Sequence, residues 1–537
     1  MKSGWTAIAR CALPGMIVAT LLFAFTSNKA FTIDDTLFLL EAQHLRVDPL
    51  HPTALTVVWD ETPQRLSAVL ANGPLMGYLL VPAVIRDKEW PSHLIEWIFL
   101  LIAIAGTASL ALRMGLSRYA STMAALVLVT MPAVLGMAAT AMPDVPAMAF
   151  GVIAVERTLA WRANRRLRDA VLLSLALALA ILSRPHLAML LPVCGVALWE
   201  INSVKKRRAV DWLPLPGAAL VAVLAFVITR DPSPAGSDLH TTILHLLASP
   251  YWIAHHAIAY LSYWVSCVPI ALHVICARGR RLPWWIAFLT LTLCVAIHDP
   301  HAGTPDKSWV AYFMAGAGAL TLVQLILSAR QSKSPLRYTL VAWLFIALPV
   351  ICYVHIAPKY LLASAPAAAI LIAGLLPEPR ALRTLAHGLV IAASLTLGIL
   401  IVRTDAAYAG LGRRAAREVI PKVERYKKTI WFAGHWGFQW YAQRAGAVGL
   451  SKSPPYPQLG DFLIVSTHSD GAALADDTSV VPGKRWVAGL PAAELLAHGR
   501  IAGEGAGFYS DTKGFLPWVW TREEELDSFP MWEITKQ

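Results

Sequence analysis

Charged residues are scarce in this sequence, which has 34 acidic and 46 basic side chains among 537 residues. Charged residues make up only 15% of the chain, hydrophobic residues make up 56%, and the mean hydropathy is +0.54. Because an average soluble domain carries roughly 25% charged residues, this composition excludes a purely water-soluble protein. It favours a chain that lies mostly within a lipid bilayer.

Cysteines are few, and nucleotide-binding motifs are lacking. The six cysteines form no Cys-x-x-Cys pair and lie in or beside apolar runs, which disfavours a disulfide framework or a zinc ribbon. No Walker loop, dinucleotide-binding glycine fingerprint or Gly-x-Ser-x-Gly elbow occurs in a suitable context, so the energy of any reaction must come with the substrate. Without a helical metal signature, the following histidines are interpreted as structural: His255, His256, His298 and His301.

Long apolar runs are what the sequence does have. Crossing the hydrocarbon core takes roughly 20 mostly apolar residues whose backbone groups bond within the segment, so these runs predict helices. The fold class is therefore predicted as an α-helical polytopic membrane protein with about thirteen transmembrane helices. The predicted spans lie near residues 11–28, 93–112, 120–141, 145–161, 170–183, 187–201, 212–229, 251–277, 283–298, 309–329, 338–356, 360–376 and 385–402.

Basic residues mark one set of alternate loops, including residues 162–168, 205–208 and 278–281. Loops that carry arginine and lysine stay in the cytoplasm during membrane insertion. This pattern predicts a cytoplasmic N-terminus and a C-terminus on the outer face. The same loops account for most of the net charge of +12, so no nucleic-acid partner is needed to explain it.

Two longer segments interrupt the series of helices, and both fall on the predicted outer face. The first is the loop of residues 30–92, and loops of this length are usually functional. Within it, the pattern of residues 63–70 predicts a short amphipathic segment that lies along the membrane surface. The second is a predicted small extracytoplasmic α/β domain at residues 404–537, which follows a membrane domain at 1–403. The predicted elements of this domain are a helix at 405–428, strands at 429–433 and 461–466, and a turn and helix at 434–444.

Acidic side chains at predicted outer helix ends are candidates for catalysis. Asp34 and Asp35 follow the first span, where a carboxylate can face both water and the membrane edge and can take a proton from an acceptor hydroxyl. Asp144 lies on the same face and could help this pair to hold a divalent cation or an acceptor. The alternative is that these residues cap the helices that follow, because aspartate is favoured at N-caps.

Basic side chains lie at the same predicted boundary. Arg184 and His186 occur in Leu-Ser-Arg-Pro-His, and Lys359 and Tyr360 occur in Ala-Pro-Lys-Tyr. Because arginine and lysine bind phosphate through charge-assisted hydrogen bonds, a lipid-linked phosphate is a natural ligand. The alternative is that these side chains extend to the interface without a ligand, as basic residues at helix ends commonly do.

These elements, taken in order, resemble the C-type membrane glycosyltransferases, in particular bacterial relatives of protein O-mannosyltransferases and of the lipid A aminoarabinose and rhizobial galacturonosyl transferases. The resemblance covers about residues 1–400. In this family an acidic pair in the first outer loop is followed by an Asn-Pro-Pro-Leu-x-x-Tyr-like element, in which Gly73 here replaces a proline. The matching elements are Asp34-Asp35, Asn72-Gly-Pro-Leu-Met-Gly-Tyr78, Asp144 after the third span, Arg184 near the fifth and sixth spans, and Lys359-Tyr360 in place of Arg-Tyr.

The resemblance implies a glycosyltransferase that moves a sugar from a polyprenyl-phosphate donor to a hydroxyl of a lipid, glycan or protein acceptor. The reaction would take place at the periplasmic face of a bacterial inner membrane. Asp34 would be the base of one inverting displacement, and Asp35 and Asp144 would orient the acceptor or hold a divalent cation, with no other cofactor required. The residues that would bind the donor phosphate are Arg184, His186, Lys359 and Tyr360. The residues that would shape the substrate loop are Asn72 and Tyr78.

Two other functions fit the same sequence features. A secondary transporter also has many helices, but transporters place ionisable residues near the bilayer midplane. Here Glu156 and Arg157 lie toward the predicted inner end of their helix, and the candidate acids cluster at the outer boundary, which favours the enzyme. A noncatalytic subunit that binds lipid-linked sugars is the other alternative.

Overall fold

The protein is a polytopic α-helical membrane protein whose C-terminal region, residues 404–537, carries a mixed β-sheet. Within the described part of the chain, five helices are long and apolar enough to cross a membrane, or six if a bent pair counts as one span. The structure is a computed structural model. It describes residues 4–536 except 60, 71, 87, 202–207, 233–248, 279–285, 288–289, 291–307, 332–335, 354, 377–378, 470–471, 491–499, 503–507, 512–513 and 522–526.

The helices of the membrane domain lie where apolar runs predict spans. The predicted span 283–298 falls largely outside the described residues, so the count of thirteen stays a prediction. The long helices are Trp5–Thr26, Trp90–Arg113, Pro214–Ile228, Ser308–Gln331 and Ala381–Glu418. The others are Arg118–Thr130, Pro132–Ala138, Asp144–Asn164, Leu167–Ser183, Leu190–Ile201, Pro250–Ser266, Ile270–Arg278, Arg337–Leu344 and Ala365–Leu375, with 3₁₀ turns at Pro185–Met189, Ala209–Trp212, Leu348–Cys352 and Pro358–Ala363.

Several predicted spans are broken in the structure, and a proline lies at each break. The run 120–141 forms two helices that meet at 59° where Pro132 follows the extended Met131. Proline disfavours a helical conformation of the preceding residue and removes a backbone donor, so the first helix ends there. Within the run 338–356, the helix ends at Leu344, and a separate 3₁₀ turn, Leu348–Cys352, follows with Pro349 as its second residue. The second of these breaks leaves non-helical backbone beside the candidate site described below.

The long first loop, residues 30–92, is folded onto the membrane helices. The helix Asp35–His44 is followed by a hairpin of the antiparallel strands Thr56–Val58 and Pro63–Arg65, and then by the helices Leu66–Val69 and Leu75–Val84. The predicted amphipathic piece at 63–70 is therefore a strand followed by a short helix. Arg65 donates two hydrogen bonds, of 2.8 and 3.0 Å, to the buried carboxylate of Asp231, which ties the hairpin to the membrane domain.

The C-terminal region is built on a five-stranded sheet. The helix Ala381–Glu418 runs through the predicted boundary at 403/404 without interruption and ends shortly before the first strand of this sheet. Two adjacent inner strands, Ile430–Ala433 and Phe462–Val465, pair in parallel and are buried throughout, as expected of strands covered on both faces. The strands in spatial order are Val448–Gly449, Ile430–Ala433, Phe462–Val465, Phe529–Ile534 and Lys484–Leu490, and a separate pair is Arg500–Ala502 with Val519–Thr521.

The C-terminal region packs directly against the segment that precedes Asp34. The Tyr441 hydroxyl accepts a 3.0 Å hydrogen bond from the Phe31 backbone N–H, and Thr36 Oγ1 donates a 2.6 Å bond to the Trp436 carbonyl. Gly437 is required at this contact because a Cβ there would overlap the Phe31 carbonyl oxygen. The helix Trp436–Arg444 and the long first loop therefore form one packed unit.

Candidate functional site

A cavity of about 510 Å³ lies where the long first loop meets the helix ends near Arg184 and Lys359. Its wall combines the Asp34 carboxylate with these two cations. The remaining wall is largely apolar and includes Leu70 and Val350. Two 3₁₀ turns that contain prolines, Pro185–Met189 and Leu348–Cys352, contribute to this wall. The cavity can therefore accommodate a ligand that has both an anionic and an apolar part.

Asp34 lies at the start of the helix Asp35–His44, with its side chain 32% exposed toward the cavity. The preceding residue, Ile33, has a backbone φ of +42°, a left-handed conformation that is costly for a β-branched side chain. The ammonium of Lys359, only 3% exposed, donates a 3.3 Å hydrogen bond to Asp34 Oδ2. The carboxylate is thus held beside a buried cation while it remains open to the cavity.

Arg184 is buried and is held from two sides. Its Nη2 donates a 2.6 Å hydrogen bond to Asp144 Oδ2, and its Nη1 donates to Asn72 Oδ1. The guanidinium carbon lies 5.9 Å from the centroid of the Tyr360 ring, within the range of a cation–π contact. A buried cation requires such partners, and here they also fix the plane of the guanidinium group at the cavity wall.

The position of Asn72 depends on the glycine that follows it. Gly73 packs so closely on the backbone of Leu182 that a Cβ would overlap the Leu182 carbonyl oxygen. Leu182 lies two residues before Arg184, so this approach brings Asn72 within hydrogen-bonding distance of the guanidinium group. The residue that departs from the family-like motif therefore permits the contact between the long first loop and Arg184.

Replacing Gly73 by alanine is expected to lower the reaction rate at this site by roughly 100-fold. A shift of about 1 Å in a group that positions a substrate can have an effect of that size. The added methyl group would push the loop away from Leu182 and separate Asn72 from Arg184. The measurement is the initial rate of the proposed sugar transfer in purified protein. Gly388→Ala is the matched control, because a Cβ at Gly388 meets nothing within 4 Å. Equal rates for both variants would contradict the role assigned to this contact.

Asp35 is turned away from the cavity. Its Oδ2 accepts a 2.9 Å hydrogen bond from the Thr32 N–H, and its Oδ1 accepts a 2.8 Å bond from the Ala141 N–H. Burial raises the pKa of Asp35 to about 6, although the nearby Lys29 and the two backbone donors oppose this effect. The carboxylate therefore joins the segment before Asp34 to the segment before Asp144.

Asp35→Asn is expected to lower the free energy of unfolding by about 1–3 kcal/mol, because an amide NH₂ would face one of the two backbone donors. The raised pKa means that the folded state binds a proton more tightly than the unfolded state between about pH 6 and pH 4. The stability contributed by Asp35 thus increases as the pH falls through this interval. The melting temperature of the variant should accordingly fall further below that of the wild type at pH 4.5 than at pH 7.5. A deficit that is independent of pH would contradict this account.

The structure brings most of the predicted site residues together. His186 and Tyr360 line the cavity with their ring centroids 5.7 Å apart, and Asp144 reaches it through Arg184. Tyr78 lies elsewhere, because its hydroxyl donates a 2.7 Å hydrogen bond to the Pro49 carbonyl and its ring is partly exposed. Its pKa is raised, mainly by partial burial.

Asp35 and Asp144 were the predicted ligands of a divalent cation. Both oxygens of Asp35 accept backbone hydrogen bonds, and Asp144 pairs with Arg184. No group of three potential ligands close enough to hold a metal occurs in the part of the chain that the structure describes. These residues therefore do not fit a divalent cation in this arrangement.

Three aromatic residues of the wall were missed by sequence reasoning: Trp59, Tyr353 and His355. Trp59 stacks on His435 of the C-terminal region with ring centroids 5.3 Å apart. His355 lies only four residues before Lys359, so its closeness to the conspicuous Pro-Lys-Tyr element could have identified it. Trp59 has no comparable signal, because its place depends on the hairpin of the long first loop.

Asp511 is another residue that the sequence did not reveal. Its Oδ1 accepts a 2.8 Å hydrogen bond from the Ile356 N–H, and its own N–H donates to the Ile356 carbonyl. Burial raises its pKa to about 6, while the nearby His256 opposes this effect. Asp511 therefore holds the backbone three residues before Lys359, and His256 packs beside it with its Nε2 3.4 Å from Asp511 Oδ2.

The helical membrane domain, the folded first loop and the C-terminal sheet together have the fold of the C-type membrane glycosyltransferases. The structure of ArnT from Cupriavidus metallidurans bound to undecaprenyl phosphate matches with a TM-score of 0.52 and 11% sequence identity, over 89% of this chain and 96% of that one. This likeness establishes the fold and confirms the predicted fold class.

Lower structural similarity links the chain to two other proteins. The archaeal oligosaccharyltransferase AglB from Archaeoglobus fulgidus, in complex with an inhibitory peptide and a dolichol-phosphate, has a TM-score of 0.45 at 13% identity, over 83% of this chain and 64% of that one. The arabinofuranosyltransferase AftD from Mycobacteria has a TM-score of 0.41 at 12% identity, over 98% and 40%. No protein-family model matches the chain, and no curated protein sequence matches it.

Proposed function

We propose that the protein is a membrane glycosyltransferase that takes a sugar from a polyprenyl-phosphate donor and attaches it to an acceptor hydroxyl. The observation that carries this proposal is the cavity in which the Asp34 carboxylate lies beside Lys359 and Arg184. The ArnT structure of the same fold is bound to undecaprenyl phosphate, which supports a lipid-linked donor here. The charge pattern of the loops supports a site on the periplasmic face of the inner membrane.

The donor phosphate would bind between Arg184 and Lys359. Arg184 presents a planar group already fixed by Asn72 and Asp144, so little conformational freedom is lost when a phosphate oxygen binds. The apolar part of the wall, including Leu70 and Val350, suits the first isoprene units of the lipid. The centroid of the Tyr360 ring lies 5.9 Å from the Arg184 guanidinium carbon and 5.9 Å from Lys359 Nζ, so the ring contacts both cations.

Asp34 would act as the general base. It would take the proton of the acceptor hydroxyl as the hydroxyl oxygen attacks the anomeric carbon, and the bond from that carbon to the phosphate oxygen would break. The phosphate would leave with the bonding electrons, and Arg184 and Lys359 would stabilise its added charge. A single displacement of this kind inverts the anomeric configuration.

Asp35 and Asp144 would act as positioning residues in this reaction. Asp35 fixes the backbone on either side of the site through Thr32 and Ala141, and Asp144 fixes the guanidinium group of Arg184. Neither side chain lies in the wall of the cavity. Their proposed contribution is therefore to geometry, to which such reactions are sensitive.

Purified full-length protein in lipid nanodiscs, supplied with polyprenyl-phosphate sugars, provides the direct test. We expect the purified protein to transfer one defined sugar to an acceptor. In a strain that lacks the gene, mass spectrometry should show the loss of one hexose, pentose or uronic acid from a surface glycan or lipid. If the protein bound the donors but transferred none of the sugars tested, it would instead be a noncatalytic binding subunit. Movement of the intact donor across the bilayer without transfer would indicate a transporter.

A further inference from the structure

Aromatic side chains with polar edges form part of the wall of the cavity that contains Asp34. Trp59, Tyr353 and His355 all line this cavity, and all three are partly exposed. None of these side chains makes a hydrogen bond within the part of the chain that the structure describes. The indole N–H, the phenol hydroxyl and the imidazole nitrogens are therefore available to a ligand in the cavity.

Tyr353 and His355 lie next to the residues proposed to bind the donor phosphate. Their ring centroids lie 6.5 Å and 6.4 Å from the centroid of the Tyr360 ring. Tyr360 in turn contacts both Arg184 and Lys359. A sugar joined to a phosphate between these two cations is therefore close enough to reach the aromatic wall.

The C-terminal region holds the chain on both sides of Trp59. On one side, Gln439 Nε2 donates a 3.0 Å hydrogen bond to the carbonyl oxygen of Val58. On the other side, the backbone N–H of Lys452 donates a 2.7 Å hydrogen bond to the carbonyl oxygen of Glu61, and the two side chains form an ion pair. These contacts fix the backbone position of Trp59 at the cavity wall.

His435 supports the Trp59 ring from outside the cavity. The two rings stack with their centroids 5.3 Å apart and an interplanar angle of 22°. His435 is buried, does not line the cavity, and donates a 3.0 Å hydrogen bond from its backbone N–H to Ser469 Oγ. A side chain that is already held in this way loses little conformational freedom when it binds a ligand.

Flat rings with hydrogen-bonding edges are suited to a sugar. One face of a sugar ring presents C–H groups that can pack on an indole, and its hydroxyls need hydrogen-bond partners when they leave water. Trp59 supplies a flat face and an N–H donor, while Tyr353 and His355 supply further polar atoms. A few polar groups in a largely apolar wall are typical of sites that orient one small molecule.

The charges of the described cavity wall are already matched. The wall contains one carboxylate, that of Asp34, and two permanent cations, Lys359 and Arg184. Lys359 pairs with Asp34, and Arg184 pairs with Asp144. The donor phosphate would occupy both cations, and Asp34 would serve as the base. A charged group on the sugar would therefore leave water without a partner among the described residues, which is unfavourable.

We propose that Trp59, Tyr353 and His355 bind the transferred sugar, and that this sugar is a neutral hexose or pentose without an acidic or amino group. The C-terminal region contributes to the choice of sugar by holding Trp59, although none of its described residues lines the cavity. The inference rests on the proposed function, because it assigns the sugar-binding part of the same cavity.

The test measures dissociation constants with purified full-length protein in lipid nanodiscs. The reference probe is polyprenyl methyl phosphate, a phosphodiester that has the charge of the donor but no sugar. The other probes carry glucose, galactose, mannose, arabinose, glucuronic acid or glucosamine in place of the methyl group. The wild type should bind one of the four neutral donors roughly 10-fold more tightly than the reference and than either charged donor.

Trp59→Ala should weaken binding of the preferred donor roughly 10-fold and leave binding of the reference probe unchanged, because the indole contacts only the sugar. Unchanged binding of the reference probe also shows that the variant is folded. Trp486→Ala is the matched control, since Trp486 belongs to the C-terminal region, is 60% exposed and lies outside the cavity. Both dissociation constants should keep their wild-type values in this control.

His435 acts as a positioning residue, and a pair of variants tests this role. His435→Ala should weaken binding of the preferred donor but not of the reference probe. His435→Phe keeps a ring behind Trp59 and should restore binding of the preferred donor. Equal weakening of both probes in His435→Ala would overturn the role of the C-terminal region in sugar choice, since it would show only a general loss of folding.

Three outcomes would overturn the inference in different ways. Equal effects of Trp59→Ala on the preferred donor and the reference probe would remove Trp59 from the sugar site. Binding of a charged donor as tight as that of the best neutral donor would refute a neutral sugar. A wild type that binds the reference probe but prefers no sugar would refute the whole inference, while failure to bind any probe would contradict the proposed function itself.

Discussion

Asp34→Asn is expected to reduce sugar transfer by roughly 10²–10⁴-fold, the contribution typical of a positioned general base. Asparagine keeps the size of the side chain but cannot take a proton from the acceptor hydroxyl. Its amide can still occupy the position beside Lys359, so the donor phosphate should bind with nearly unchanged affinity. The two quantities to compare are the initial rate of transfer and the dissociation constant of the polyprenyl-phosphate sugar.

Asp48→Asn is the matched control for this experiment, because Asp48 lies in the same loop and its side chain is 38% exposed at a contact with His51. The control should transfer sugar at the wild-type rate. An Asp34→Asn variant that also transfers sugar at the wild-type rate would remove Asp34 from the mechanism. Loss of both transfer and donor binding would show instead that the carboxylate is needed to hold Lys359 in place.

Arg184→Gln should have two large effects. Loss of a cation that stabilises the leaving phosphate is expected to reduce transfer by roughly 10²–10³-fold. The buried carboxylate of Asp144 would also lose its partner, and breaking a buried pair in this way costs about 3–5 kcal/mol of stability. The rate of transfer must therefore be measured per folded molecule, with the folded fraction determined by thermal unfolding in detergent.

A double variant separates these two effects. Adding Asp144→Asn to Arg184→Gln removes the unpaired charge, so the melting temperature should recover while transfer stays low. The control is the buried pair of Arg162 and Asp211, which lies outside the cavity that contains Asp34. Arg162→Gln should lower the melting temperature but preserve transfer per folded molecule. Recovery of transfer in the double variant would indicate that Arg184 has only a structural role.

The membrane domain could be predicted from composition because each span must satisfy its backbone within an apolar run. The breaks at Pro132 and Pro349 were not predicted, since the apolar run continues through each of them. Hydropathy reports which residues tolerate lipid, whereas the course of the backbone at a proline depends on the neighbouring helices. Pro349 and Val350 line the candidate site, so the form of its wall was less predictable than the positions of the apolar segments.

The sequence indicated which residues line the candidate site better than it indicated how they are arranged. Charged residues at predicted outer helix ends identified Asp34, Arg184 and Lys359, which the structure gathers at one cavity. Which of two adjacent aspartates faces the cavity depends on the left-handed conformation of Ile33, and no sequence pattern indicates it. The support from Asp511 is likewise hidden, because it comes from a position 155 residues away from Ile356.

The contact between Phe31 and Tyr441 joins residues separated by 410 positions. During synthesis, the segment that bears Asp34 would emerge and enter the bilayer long before its partner Tyr441 is translated. Until Trp436 and Tyr441 have been synthesised, Phe31 and Thr36, which lie on either side of the left-handed residue Ile33, lack these hydrogen bonds. Arg184 and Lys359 are both synthesised before the helix Trp436–Arg444, so we expect the segment that carries Asp34 to gain its final packing only when synthesis has passed this helix.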